Sequence, residues 1–289
     1  MEARLYAEDP AKGFLPSTGR LERYCLPDED YRIDSGVEGN SVISPYYDPM
    51  IAKIIVHGVD RDEAIDQLLE ALKGTAVWPV KSNAGFLYHA AESEHFRSGK
   101  ITTGFIAEQG ELLIPDQVPD NEVLGQGARH LIESFDNSGF HSRDSELLEG
   151  FRLNALPRRS LLVEVDGLKH VVSKVPDFGG DTYSSAIDPE TALVTKHGQS
   201  FAVGLPRHSG SHHAAHDGDI LSPMPGKIIA VEVVEGQAVT KGQKLLTLEA
   251  MKMEHTLTAP FDGTVAELTA VAGAQVQVEA LLARIEAGE

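Results

Sequence analysis

The chain has a single cysteine, Cys25, among 289 residues. One thiol excludes an intramolecular disulfide and suits a reducing compartment. Locally, Cys25 reads as a half-buried strand residue, and nothing beside it suggests a nucleophile. Basic residues are also scarce, with 25 Lys and Arg against 44 Asp and Glu and a net charge of −19. Nucleic acid and anionic membrane both require basic surface, so neither is expected as a partner. No apolar run approaches the roughly 18 residues of a membrane span. Met1-Glu2-Ala3-Arg4 lacks the basic stretch and apolar run of a secretory signal. These absences together predict a cytoplasmic protein. The 42% of apolar residues still permits a sizeable core, and the length allows one to three domains.

Pattern divides the chain. Residues 1–108 mix strands and helices. Ile51-Ala52-Lys53-Ile54-Ile55-Val56 is a β-prone run. Asp60 opens a helix, with Glu63 completing a capping box. Ile65, Leu68, Leu69 and Leu72 then line one face, and Gly74 follows as a C′ glycine. A second helix is expected from Ser82, carrying Phe86, Leu87 and Ala90. Residues 109–205 read as mainly β after a polar opening. There, His130-Leu131-Ile132 and Glu146-Leu147-Leu148 fit short helices or strands equally. Asp166-Gly167 joins Leu161–Val165 to a run from Leu168 to Val175, a type I′ hairpin signal. His197-Gly198 joins Thr191–Lys196 to Gln199–Leu205 in the same way. Residues 206–218 read as a flexible linker with little to bury. Its His208, His212, His213 and His216 read as scattered imidazoles on a strap rather than metal ligands, and no metal site is expected.

Residues 219–289 contain an internal repeat. Gly226 corresponds to Gly263, Ile228 to Val265, Val231 to Leu268 and Val234 to Val271. Gly236, Val239, Leu245 and Leu248 correspond to Gly273, Val276, Leu282 and Ile285, all at one constant offset. Each copy is too short to bury its own apolar face, which implies an all-β pseudo-two-fold sandwich. Glu249-Ala250-Met251-Lys252-Met253 falls at the junction of the copies, where a hairpin would present one lysine at an open tip.

Glu249 to Glu254, with Ser222-Pro223-Met224-Pro225-Gly226 before it and Ala259-Pro260-Phe261-Asp262-Gly263 after it, resembles the biotinylation site of biotin carboxyl carrier domains. The resemblance implies biotin bound covalently to Lys252, with Glu249, Ala250, Met251 and Met253 as its setting. It also implies a flattened barrel of the biotinyl/lipoyl type and a biotin protein ligase as a partner. Lipoyl carriers share the fold and the lysine. Methionines on both sides favour biotin.

Glu2-Ala3-Arg4-Leu5-Tyr6-Ala7-Glu8-Asp9-Pro10, Phe14-Leu15-Pro16-Ser17-Thr18-Gly19 and Pro45-Tyr46-Tyr47-Asp48-Pro49-Met50-Ile51-Ala52-Lys53 resemble the C-terminal subdomain of biotin carboxylase. This implies an α+β fold over residues 1–108. By its position before Tyr46, Arg32 corresponds to the family's active-site arginine, a catalytic residue facing bicarbonate and biotin. A guanidinium would stabilise negative charge developing there. No Gly-rich phosphate loop or magnesium-binding carboxylate pair accompanies it. The chain thus resembles the C-terminal part of a longer ATP-grasp subunit. ATP and Mg²⁺ are expected only in the complete enzyme, and the chain alone should be inactive. Residues 109–205 lie where acyl-CoA carboxylase alpha subunits place a β-barrel around a helix that docks on the carboxyltransferase beta subunit. The order of the three regions resembles alpha subunits of the 3-methylcrotonyl- or propionyl-CoA carboxylase type, which implies an α+β multidomain chain. Its acyl-CoA substrate would be bound and chosen by the partner. A stand-alone biotin carrier or assembly module, and a lipoyl-type acyl carrier, are the alternatives.

Overall fold

A computed structural model describes residues 1–136, 160–173, 181–206, 218–250 and 253–287. The first region carries strands β1 (Glu2–Tyr6), β2 (Glu8–Asp9), β3 (Leu15–Pro16), β4 (Gly19–Arg20), β5 (Arg23–Cys25), β6 (Arg32–Ser35), β7 (Val42–Ile43), β8 (Met50–Ile55) and β9 (Ala76–Trp78). Its main sheet is antiparallel in the order β1-β8-β6. In β1, Ala3 and Leu5 are buried while Glu2 and Arg4 face water, the alternation that a half-covered sheet requires. Five helices follow: α1 (Arg61–Lys73), α2 (Ala84–Glu92), α3 (Glu94–Arg97), α4 (Phe105–Leu113) and α5 (Asn121–Asp136). Ile65, Leu68, Leu69 and Leu72 of α1 join Leu5, Ile51 and Ile54 in one core.

The capping box forms one residue out of register. Asp60 accepts a hydrogen bond from the Glu63 amide at 2.9 Å, but Glu63 reaches back to the Val59 amide at 2.6 Å. Gly74 ends α1 with φ −76°, so this cap is right-handed and not the left-handed glycine expected. The second helix begins at Ala84 rather than Ser82. Asn83 occupies its N-cap, yet its side chain does not cap. It is 5% exposed, accepts from the Tyr6 amide at 2.9 Å, and donates to Arg4 O at 3.3 Å and Glu8 Oε1 at 3.0 Å. Thus Asn83 ties α2 to β1. Burial raises the pKa of the Glu8 carboxyl that it contacts. Cys25 lies on β5 but is exposed, not half-buried.

The middle region opens with helices where a polar segment was expected. Asp120 accepts from the Glu122 and Val123 amides at 3.0 and 2.9 Å and starts α5. His130, Leu131 and Ile132 belong to this helix, and Glu146 to Leu148 lie outside the described residues. Val123, Leu124, Ala128 and Leu131 bury against a five-stranded antiparallel sheet. Its strands are β10 (Leu161–Val165), β11 (Leu168–Val172), β12 (Thr182–Asp188), β13 (Thr191–Lys196) and β14 (Gln199–Gly204), in the order β11-β10-β14-β13-β12. Both expected hairpins form. Asp166-Gly167 and His197-Gly198 have φ of 49° and 78°, and 49° and 76°, as a type I′ turn demands. The first hairpin's outer strand ends at Val172, and residues 174 and 175 lie outside the described residues.

The C-terminal region carries β15 (Asp219–Leu221), β16 (Gly226–Val231), β17 (Ala238–Val239), β18 (Lys244–Ala250), β19 (Met253–Thr258), β20 (Gly263–Leu268), β21 (Gln275–Val276) and β22 (Leu281–Ala287). They form two four-stranded sheets, β15-β22-β20-β17 and β19-β18-β16-β21. The repeat offset converts one order into the other, strand for strand. Each sheet takes its central pair from one half and strands from the other, so neither half completes a four-stranded sheet alone. A bulge between Ile228 and Ala230 recurs between Val265 and Glu267. Ile228, Leu245, Leu248, Val265, Leu282 and Ile285 are buried, as the repeat requires. The pair Val234 and Val271 instead faces solvent in both halves. Of the linker residues 206–218, those from 207 to 217 lie outside the described residues, including its four histidines.

Candidate functional site

The site is built on the hairpin β18–β19. Its register pairs Leu248 with His255, Glu249 with Glu254 and Ala250 with Met253. Two residues, Met251 and Lys252, complete the connection, and both lie outside the described residues. The base that carries them is well fixed. Ala250 is 6% exposed and packs with Ile228, Leu246 and Leu248 in a core cluster. Glu249 and Glu254 are exposed directly opposite each other. Facing like charges do not stabilise a hairpin. They give the stem an acidic collar. Gly226 makes room for it, because a Cβ there would stand 2.7 Å from Glu249 O.

A groove of about 260 Å³ runs beside this base. The C-terminal region contributes Pro225, Lys227, Glu249, Ala250, Gln275 and Gln277, and the first region contributes Pro45 and Tyr46. Tyr46 Oη donates to Gln275 Oε1 at 3.4 Å. Tyr46 belongs to a motif quoted above, but its pairing across most of the chain left no local signal.

Arg32 lies at the start of β6, an edge strand, opposite Ile55. Its side chain is exposed and forms a two-pronged pair with Asp34, with Nε to Oδ1 and Nη2 to Oδ2 both at 3.1 Å. Period two along the strand puts both on one face. The hydrogen bonds to Arg32 hold the Asp34 carboxyl below its usual pKa and raise that of the guanidinium. Water screens the pair, so an arriving anion can displace Asp34 at little cost. Arg32 does not line the groove beside the hairpin.

Residues 2–108 match the family described as the biotin carboxylase C-terminal domain, and residues 218–285 match the biotin-requiring enzyme family. The methylcrotonoyl-CoA carboxylase alpha subunit of Dictyostelium discoideum is 31% identical over 92% of this chain and 46% of its own length. The propionyl-CoA carboxylase alpha chain of Homo sapiens is 30% identical over 99% of this chain and 46% of its own. A biotin-dependent acyl-coenzyme A carboxylase alpha3 subunit of Mycobacterium leprae is 30% identical over 99% and 43%. The chain thus spans somewhat under half the length of these relatives. No described helix is long and apolar enough to cross a membrane. The chain is built from a biotin carboxylase C-terminal domain and a biotinyl domain, on a polypeptide related along nearly all its length to the alpha subunits of propionyl- and methylcrotonoyl-CoA carboxylases.

Proposed function

We propose that this chain is the biotin carrier, and part of the biotin carboxylase, of a cytoplasmic acyl-CoA carboxylase, with biotin joined to Lys252 by an amide bond. One observation carries the reading: the β18–β19 register leaves only Met251 and Lys252 between two repeat halves, inside the span that matches the biotin-requiring family. The described surroundings fit a lysine-borne group. The stem is anchored in the core at Ala250, and open space lies beside it. When bound, biotin supplies a ureido nitrogen able to take up and release a carboxyl group.

The chain's own residues hold and present that group. Lys252 supplies the covalent anchor. Glu249 and Glu254 mark the stem for a biotin protein ligase, which must approach the ε-amine. Arg32 would give up Asp34 to hold the anionic carboxyl donor, its fork of donors matching a planar oxyanion. An ATP-grasp core with Mg²⁺ supplies the activated bicarbonate, and a carboxyltransferase beta subunit binds the acyl-CoA. The middle domain is the docking element for that subunit, and domain limits at 108, 205 and 218 describe the working units. A tether places the carrier at an effective concentration of about the mM range at both sites.

Expression with a biotin ligase, followed by intact mass, tests the assignment. The protein should gain the mass of one biotin less one water, and Lys252→Arg should lose it wholly. An adduct that persists on the variant, or one with the mass of lipoate, overturns the reading. The chain alone should show no bicarbonate-dependent ATP hydrolysis, and a measurable rate would remove the need for a separate core.

A further inference from the structure

The biotinyl domain touches the first domain at a small, specific place. On the first domain the contact is made by Leu15 of β3 and by Tyr46, in the loop between β7 and β8. Leu15 is half-buried and packs onto the biotinyl cluster of Met224, Ile228, Leu246, Leu248, Ala250, Ala270 and Leu282. Tyr46 is 68% exposed, yet its hydroxyl meets Gln275. The loop is shaped before the contact is made. Ser44 Oγ accepts from the Tyr46 amide at 3.2 Å, and Asp48 Oδ1 accepts from the Met50 amide at 2.9 Å. Met50 opens β8, the central strand of the first sheet, so the loop is fastened to the rigid core. On the biotinyl side, Gln275 begins β21, the edge strand paired with Gly226 and Lys227 of β16. The lysine-bearing hairpin ends in β19, at the other edge of the same sheet.

We infer that Leu15 and Tyr46 form a reversible docking patch for the biotinyl domain, which grips the β16–β21 edge and leaves the β18–β19 hairpin free to present its lysine. Tyr46 is a positioning residue and takes no part in the chemistry. The contact suits a carrier that must leave. Among the described residues, the contacts on the first domain's side are one half-buried leucine packed on the biotinyl cluster and one long hydrogen bond, neither of which is a strong anchor. The groove beside Tyr46 is lined on its far side by Ala250 and Glu249, so in the docked pose open space remains between the stem of the hairpin and the first domain. The purpose of the patch rests on the carrier reading. The contact itself does not.

The full chain labelled with ¹⁵N provides the test, with rotational correlation times read separately for amides of β8 and of β20. In the unsubstituted chain the two sets should tumble together. Tyr46→Ala, Gln275→Ala and Leu15→Ser should each shift the docked-to-free ratio by roughly 2- to 10-fold, the net effect of losing one hydrogen bond or a few buried methylenes. The double variant Leu15→Ser/Tyr46→Ala should release the biotinyl domain. Tyr47→Ala, at a neighbouring side chain that is 76% exposed, should leave it docked. Gln275 is itself exposed, so its variant probes the contact even if Leu15→Ser fails to fold. Independent tumbling in the unsubstituted chain overturns the proposal, as does equal release by Tyr47→Ala. Docking that vanishes in Lys252→Arg would assign the contact to the prosthetic group instead, and would also overturn it. An absent biotin adduct with docking intact refutes only the carrier reading.

Discussion

Gly226 and Gly263 occupy equivalent places in the two halves, and substituting each in turn tests both the repeat and the site. A Cβ at Gly226 would stand 2.7 Å from Glu249 O and 3.1 Å from the Leu248 side chain. A Cβ at Gly263 would run into Glu286 O, the repeat equivalent of Glu249 O. Both obstacles are backbone in paired strands, so neither can swing aside as a flexible side chain would. Alanine at either position should cost about 1–3 kcal/mol, the range for overpacking a well-filled site. For a domain of this size that lowers Tm by about 4–8 °C per kcal/mol. The two variants should part company at the site. Gly226→Ala displaces the stem beneath Ala250, so biotin ligase should modify it more slowly even at temperatures where it is fully folded. Gly263→Ala displaces β22, away from the hairpin, so its folded protein should be modified at the unsubstituted rate. The assays are thermal unfolding followed by a signal from the biotinyl domain, and the initial rate of biotin incorporation. A Gly226→Ala protein within about 0.5 kcal/mol of the original, inside the range of inert surface changes, would refute the reasoning.

Asn83→Ala should destabilise the first domain by about 1–3 kcal/mol, read from a urea midpoint, because the Tyr6 amide loses its acceptor and half-buried Glu8 loses a donor. Across the face between the first and middle domains, His197 stacks on Tyr88 at 4.3 Å, and burial holds both His89 and His197 below the usual pKa of 6.5. The unfolded chain then binds more protons near pH 6, so stability should fall as pH drops from about 7 to about 5. Lys196 and Lys73 favour neutral His197, while Asp181 and Glu92 oppose them. His197→Gln should flatten this pH slope in denaturant titrations, and an unchanged slope would count against it. In a complete carboxylase, Arg32→Ala should slow ATP-dependent carboxylation about 10²–10³-fold with an unshifted melting curve. A loss confined to the folded fraction would make Arg32 structural.

Much of this architecture was legible because it rests on local chemistry. Asp-Gly and His-Gly between apolar runs dictate their turns. Asp60 and Glu63 mark the start of α1. The repeated Gly and Val spacing describes a sandwich whose two sheets exchange places under the offset. Helix α5 was read only as a short helix or strand around His130–Ile132, and its length was hidden for a tertiary reason. Gly125 and Gly127 weaken its helical signal, yet a Cβ at Gly127 would stand 2.6 Å from Val203, so the glycine lets the helix lie on the sheet. Asn83 was hidden in the same way, since its partners lie on β1 and β2. At the site, Lys252 was read from the motif alone, and it lies outside the described residues. The meeting of Tyr46 with Gln275 was not legible, because only the folded chain joins positions so far apart.

The pseudo-two-fold axis also explains which corner of the biotinyl domain carries the lysine. Strand β19 pairs with β18 as β15 pairs with β22: Thr247 with Thr256 repeats Asp219 with Arg284, and Leu246 with Leu257 repeats Ile220 with Ala283. The domain therefore has two equivalent corners. One is closed by Met251 and Lys252. At the other the chain enters at Gly218, whose carbonyl accepts from the Ile285 amide at 2.8 Å, and β22 ends at Ala287. These corners stand at opposite ends. The hairpin descends from Ala250 and Met253 to Lys244 and Thr258, and continues through Ala259, bonded to Gly242, toward Gly263. Gly263 pairs with Ala287. Seven residues of β18 at about 3.3 Å each therefore separate tether from tip by roughly 20 Å. A lysine at the second corner would sit beside its own tether and sweep little volume. At the first corner, the length of the rigid domain adds to whatever reach the linker provides. That asymmetry between two otherwise matching corners suits the carrier role proposed above, in which the lysine must reach beyond its own domain.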